Sequence, residues 1–355
     1  MKSRPTIIDV AERAGVSKST VSRVVADDGQ GVSDRARERV QKAIEELGYV
    51  PNAVASSLRT ARTNIIMLTI PDIANPFWPD LARGVQDVMD EEGYAVVFAN
   101  SDWDGQREAT FLQMAGRNRL DGILINPIQV SNEELKATGI PTVVISSSER
   151  YPDFDAVGSD SFGAAQQALA HLTVLGHRRI GLIRGRRVHR LQHSRLAGYL
   201  HYLHEHGLPI DENLIVEVTF DETGGFQAME QLLALPCPPT AVFASNDLLA
   251  IGALHAAHAA GLQVPRDLSI VGLDGIFAAS TTIPPLTTVA KPKEVIGRRA
   301  ACLLLERIRR LAPSTPRREI VACHLQERGS TALPGARRSD QGGLSSVTRS
   351  LRQVR

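Results

Sequence analysis

Along the first fifty residues, apolar side chains recur at helical spacing in three short blocks. Val10, Ala11 and Ala14 follow Thr6-Ile-Ile-Asp9, a pairing suited to a capping box in which hydroxyl and carboxylate satisfy each other's orphan backbone donors. The block breaks at Ala14-Gly15-Val16, where Gly15 suits a left-handed turn. Ser17 is placed to cap a second helix reaching about Val25, with Val21, Val24 and Val25 inward. Ser33 is placed to cap a third, with Val40, Ala43, Ile44 and Leu47 on one face and a stop near Gly48. A turn this tight makes the first two helices cross steeply, as in helix-turn-helix.

From Asn64 the period changes. Short β-rich runs alternate with helical stretches: Ile65–Ile70 then Leu81–Glu92, Ala95–Ala99 then Gln106–Arg117, Gly122–Asn126 then Glu133–Ala137, and Thr142–Ile145. Phe162–Leu175, Arg179–Ile183, Ser194–His206, Leu214–Val218, Gly225–Leu235, Ala241–Ala244, Leu248–Ala260 and Ser269–Gly272 continue the series, which ends with Val295–Arg310 and Ile320–His324. Repeated βα units predict parallel sheets covered by helices on both faces. Their length exceeds one comfortable sheet and predicts two Rossmann-like lobes, in which ligands bind at the carboxyl ends of the strands. The expected fold class is α/β. Its divisions are a helix-turn-helix domain at 1–50, a linker at 51–63, a two-lobed core at 64–335 and a disordered basic tail at 336–355.

Composition narrows the field. With 43% hydrophobic and 22% charged residues the chain is globular. The longest clean apolar run, Ile65–Ile70, falls far short of a spanning helix. No apolar segment follows the N-terminus to make a signal peptide, and three scattered cysteines make neither a disulfide framework nor a CxxC pair. The expectation is a cytoplasmic protein. The formal charge of +1 hides a partition: +3 over residues 1–63, −6 over 64–335 and +4 over 336–355. A basic head on an acidic body is what a polyanion partner favours.

The head offers matching chemistry. The second helix of a helix-turn-helix enters the major groove, where Lys18, Ser19 and Arg23 would meet base edges, Arg23 being able to grip guanine bidentately. Ser17, Thr20 and Ser22, with Thr6 at the first helix start, suit phosphate contacts. The spacing also fits a helical hairpin with a solvated basic face. Pro51 can start a further helix reaching Leu58, too short to be stable alone. Asn52 and the small Ala55 permit close approach to DNA, and Leu58 is a candidate minor-groove wedge, or else an ordinary linker leucine.

Thr6-Ile-Ile-Asp-Val-Ala-Glu-Arg-Ala-Gly-Val-Ser-Lys-Ser-Thr-Val-Ser-Arg-Val24 and Gly48-Tyr-Val-Pro-Asn-Ala-Val-Ala-Ser-Ser-Leu58 resemble the opening of the lactose-repressor (LacI) family of bacterial transcription regulators. The likeness continues through Asn75-Pro-Phe-Trp78, Gly176-His-Arg-Arg-Ile180, Arg195-Leu-Ala-Gly-Tyr199, Pro239–Asp247, Ser269–Asp274 and Pro284-Pro-Leu-Thr-Thr288. It implies a DNA-reading head, a hinge helix at 51–63 and a core of periplasmic-binding-protein type. It also implies a homodimer on a roughly palindromic operator, controlled by a small molecule, with no cofactor and no catalysis. Under it Leu58 intercalates, and Asn75, Phe77, Trp78, Asp160, Arg195, Phe220, Asn246 and Asp274 line the effector cleft. Aromatic faces, carboxylates, amides and a guanidinium suit a sugar. Asp247 is assigned to the fold rather than the ligand.

Three departures stand out. The family's Asp-Asp pair is Asp274-Gly275, its usual Gln is Lys291, and residues 184–195 are unusually basic. Lys291 therefore joins the effector residues, and the effector is expected to be a sugar or a sugar acid; a merely solvated basic loop is the alternative. A sugar-processing enzyme would need a motif the chain lacks. His201, His204 and His206, like His255 and His258, have no carboxylate or cysteine at ligand spacing. A solute-binding protein for uptake would have the core without the head. In the tail, Leu344, Val347, Leu351 and Val354 follow coiled-coil spacing for under two heptads, too few to outweigh disorder or to favour a tetramer.

Overall fold

A computed structural model describes residues 5–25, 31–50, 62–185 and 194–335. The linker residues Asn52, Ala55 and Leu58, most of the basic loop after Arg184 and the whole tail from 336 lie outside the described residues.

The chain divides into two compact units, one built on Met1–Asn64 with Arg119–Asp121 and the other on the remainder. In the first, helices α1 (Ile7–Ala14), α2 (Lys18–Val25) and α3 (Asp34–Leu47) bury Val10, Ala14, Val21, Val24, Val40 and Ala43 in a core of their own. The capping box forms as its sequence requires: Thr6 N–H donates to the Asp9 carboxylate at 2.6 Å, and Thr6 Oγ1 accepts from Asp9 N–H. Gly15 and Gly48 end α1 and α3 in the left-handed conformation, each at φ 60°. Ser17 Oγ accepts from the Thr20 N–H at 3.1 Å and so caps α2. Ser33 occupies the cap position of α3 but makes no side-chain cap bond, contrary to expectation.

The second unit carries two six-stranded sheets. The first runs β11-β5-β4-β3-β1-β2, with β1 (Ile65–Ile70), β2 (Ala95–Asn100), β3 (Gly122–Ile125), β4 (Thr142–Ile145), β5 (Asp155–Ser159) and β11 (Arg318–Val321) all parallel. The second runs β12-β10-β9-β8-β6-β7, from β6 (Ile180–Gly185), β7 (Ile215–Val218), β8 (Ala241–Ala244), β9 (Ser269–Asp274), β10 (Thr287–Ala290) and β12 (His324–Gln326). Only β12 is antiparallel to its neighbour. Successive strand residues point to opposite faces, and both faces are covered. Ile183, Val242 and Ile270 enter one core of the second lobe, while Leu182, Phe243 and Val271 enter the other. That is why these strands read as continuous apolar runs rather than alternating ones.

Two strands went unpredicted, β5 and β10, and one prediction divides. The expected single strand Ile320–His324 is two strands: β11 closes the first sheet and β12 the second. The chain changes lobe between them. It also changes lobe after β5 and after β10, since helix Lys293–Ile308 packs into the first lobe's core through Ile296, Ala300 and Leu304. Three crossings therefore tie the lobes together and give each sheet a last strand from the end of the chain.

Candidate functional site

The strands' carboxyl ends face a cleft between the lobes. Asn75, Phe77 and Trp78 come from the turn after β1 and the start of helix Phe77–Glu91. Asn75 shapes that turn, its Oδ1 accepting from the Phe77 N–H at 3.0 Å. The Phe77 and Trp78 rings meet edge to face at 4.9 Å. From the other lobe, Phe220 follows β7 and faces Trp103 of the first lobe at 6.1 Å, again edge to face. Arg195, in the first turn of helix Ser194–Glu205, lays its guanidinium 5.5 Å from the Phe220 ring centroid. The aromatic walls thus belong to both lobes.

The cleft's charged centre is Asp274 at the end of β9. It is 3% exposed and held at φ 119°, a backbone region that side chains rarely adopt and that collects at functional sites. Lys291 Nζ lies 3.0 Å from Asp274 Oδ1 and 5.4 Å from the Phe77 ring centroid; Arg195 Nη2 lies 3.8 Å from the same Oδ1. Lys291 is 6% exposed, and burial, together with the Arg195 charge, brings its ammonium down to about 8 against the pull of Asp274. Beneath it, Asp247 accepts from Thr288 Oγ1 at 2.6 Å and the Ile276 N–H at 2.8 Å, and is buried. Burial and the Asp274 charge push its carboxyl up to about 6. Asp247 fixes the turn that carries Asp274, the fold role expected of it.

Seven of the nine expected effector residues line the cleft: Asn75, Phe77, Trp78, Arg195, Phe220, Asp274 and Lys291. Asp160 and Asn246 do not. Asp160 is exposed and caps helix Ser161–Val174, accepting from the Gly163 N–H at 2.8 Å, while Ser159 and Ser161 beside it face the cleft. Asn246 is buried and caps helix Asp247–Ala259 through the Leu249 N–H at 2.8 Å. Both positions are helix N-caps, where a short polar side chain serves the backbone first. Sequence reasoning missed Trp103, Asn126, Ser146 and Ser245, which also line the cleft, and had Arg184 only as the start of the basic run 184–195. All but Arg184 sit just beyond the end of a strand, so the rule that placed Asn75 would have found them if applied to every strand.

On α2, Lys18, Ser19 and Arg23 are exposed, with Ser19 and Arg23 one turn apart. Ser17 is exposed and bonded to Ser19 and Thr20 through its hydroxyl at 2.7 and 2.8 Å; Thr20 and Ser22 are half-buried. Thr6 is exposed, its hydroxyl engaged with Asp9. Among the described residues no group of three His, Cys, Asp or Glu could hold a metal ion, and no helix is long and apolar enough to cross a membrane. His206 stacks on Tyr202 at 3.9 Å and His255 pairs with Glu222 at 2.8 Å.

A three-helix unit with an exposed polar second helix, followed by two lobes of periplasmic-binding-protein build around a polar cleft, defines a DNA-binding regulator. Residues 6–52 match the sequence model of bacterial regulatory proteins of the lacI family, and residues 169–331 that of a periplasmic binding protein-like domain. The chain is 38% identical over 336 residues to the HTH-type transcriptional repressor CytR of Escherichia coli K12, covering 93% of this chain and 97% of that one. It is 37% identical over 329 residues to the ribose operon repressor of the same organism, covering 92% and 99%. Among solved structures, the Lac repressor dimer bound to operator and the anti-inducer ONPF matches with a TM-score of 0.83 at 28% identity, over 93% of this chain and all of that one. A complex of the transcriptional regulator CelR with cellobiose matches with a TM-score of 0.69 at 32% identity, over 92% and 100%. The chain belongs to the lacI family and is a transcriptional repressor, a class of protein that is not an enzyme.

Proposed function

We propose that the protein binds a roughly palindromic operator as a homodimer and that a sugar or sugar acid in the cleft between the lobes sets its affinity for DNA. In this reading Lys18, Ser19 and Arg23 contact base edges, while Thr6, Ser17, Thr20 and Ser22 contact phosphates. Asn52, Ala55 and Leu58 of the linker meet the minor groove. Residues 1–50 read DNA, 51–63 form the hinge and 64–335 sense the effector, working in the cytoplasm where the operator is. The observation that carries it is the convergence on one cleft of Phe77 and Trp78 from one lobe with Arg195, Phe220 and Asp274 from the other. A ligand touching both lobes binds their two arrangements unequally, which is what coupling to DNA needs.

Support for the dimer comes from the Lac repressor dimer on its operator and from exposed apolar side chains on this chain: Val97 and Phe98 on edge strand β2, and Phe277 and Ile283 in the second lobe. Selection of bound DNA from a random pool, with and without candidate metabolites, tests the whole reading. A twofold-symmetric site whose recovery changes with one metabolite is expected. Recovery of asymmetric sites, or sites indifferent to every metabolite, would defeat it.

A further inference from the structure

The charged side chains that line the cleft are mostly cationic. Arg184, Arg195 and Lys291 line it, and Asp274 is the only carboxylate that does so among the described residues. Arg184 is taken by Glu217 at 3.2 Å. Asp274 Oδ1 is left to serve both Lys291 at 3.0 Å and Arg195 at 3.8 Å. Three cations therefore line the cleft beside a single lining carboxylate, which two of them share, and one of those two is a lysine that is almost wholly buried. A buried charge without a full complement is costly, and such a cost is kept where a ligand relieves it. A second observation points the same way. Ser245, at the end of β8, lines the cleft and is 2% exposed, yet its hydroxyl has no hydrogen-bond partner. A buried, unpartnered hydroxyl in the cleft wall is a vacant donor for an oxygen-rich ligand.

We infer that the effector is a sugar acid, whose carboxylate is held by Lys291 and Arg195 while its hydroxyl-bearing ring lies against the aromatic walls. The inference rests on the cleft being the effector site. A carboxylate placed beside Lys291 and Arg195 would share with Asp274 two cations that now have that one carboxylate between them. A phosphate monoester near neutral pH brings close to two negative charges, a heavier load for two cations that already hold Asp274. The walls supply the rest of the recognition. Phe77 and Phe220 offer faces for ring carbons, and Asn126, Ser146 and Ser245 offer hydroxyl partners.

The chain has two tryptophans, Trp78 and Trp103, and both line the cleft, so its intrinsic fluorescence reports on this site. Two measurements on the full-length protein decide the matter. The first compares quenching by iodide with quenching by caesium: the anion should quench more efficiently, and Lys291→Gln should remove the difference. The second titrates gluconate, glucuronate and galacturonate against glucose, galactose and glucose 6-phosphate by calorimetry and tryptophan emission. An acid should bind about tenfold or more tighter than its neutral counterpart, and Lys291→Gln or Arg195→Gln should abolish that preference. Operator binding by each variant in the absence of ligand shows that it has folded. Binding of a neutral sugar as tight as any acid overturns the inference while leaving the effector cleft standing. Preference for the phosphate overturns the carboxylate assignment. No response to any compound, with no quenching preference for iodide, overturns both the inference and the cleft reading.

Discussion

Asp155, at the start of β5, is fully buried and receives four hydrogen bonds: from Arg307 Nε and Nη2 at 2.9 and 2.7 Å, and from Arg317 Nη2 and backbone N–H at 2.8 and 2.6 Å. Burial raises its carboxyl, but the two guanidinium groups outweigh burial and hold it at about 2. A depressed carboxyl contributes stability above its ordinary range and loses it as pH falls toward the folded value. Asp155→Asn should therefore cost the core about 3 kcal/mol at neutral pH, read from urea midpoints, with two guanidinium groups left uncompensated. The gap between wild type and variant should narrow as pH falls from about 4 toward 2. A gap constant over that window would refute the attribution. On α2, Arg23→Ala should weaken operator binding by about 1–3 kcal/mol and relax preference at a single base pair, measured on a panel of singly substituted operators. Residues with local jobs, such as Thr6, Gly15 and Gly48, were legible because their partners lie within a turn. Asp155 was not, because Arg307 and Arg317 approach it from the far end of the chain and no local motif marks the meeting.

The two lobes share a construction at the level of helix pairs. In the first, helix Phe77–Glu91 crosses Lys293–Ile308 at two glycines: a Cβ on Gly84 would run into the Glu294 carbonyl, and one on Gly297 into that of Leu81. In the second, helix Glu222–Leu233 crosses Asp247–Ala259 in the same manner, Gly225 against the Leu249 carbonyl and Gly252 against that of Glu222. Backbone meets backbone with no side chain to give way. Gly297→Ala must push apart the helices whose beginnings carry Phe77 and Trp78 on one side and follow Lys291 on the other. It should lower stability by about 1–3 kcal/mol and weaken effector binding in parallel, seen in thermal melts and in ligand titrations. A melt unchanged from wild type would show that the crossing has slack. Element reading from periodicity placed most helices and strands but failed at β5 and β10. Asp155-Ala-Val-Gly-Ser159 contains aspartate and glycine, residues poor in strands, and becomes one only because β4 and β11 pair with it on both sides. Thr287–Ala290 is four residues long and is held by β9 and β12. Long-range pairing, absent from any local window, made both strands.

Over the whole molecule, a formal charge of +1 is the sum of a basic head, an acidic core and a basic tail. Counterion release depends on the charges at the DNA face, so operator affinity should fall steeply with salt despite the small net charge. Leu58→Ala should lose operator affinity while leaving ligand titration of the core unchanged. Normal operator binding by that variant would remove the hinge assignment. Two lobes were legible from the number of βα repeats, and seven cleft-lining residues from motif positions. The interleaving of the lobes was not, because helix Lys293–Ile308 looks like any other amphipathic segment and only packing reveals which lobe it completes. That interleaving bears on how the protein is made. The outermost strands β11 and β12 are the last secondary structure among the described residues, and each closes a different sheet. A ribosome delivers them after everything else, so neither lobe can finish folding while the chain is still being translated through residue 317. A stop codon anywhere upstream of that point leaves both lobes unfinished at once, so the two-lobed core is produced whole or not at all.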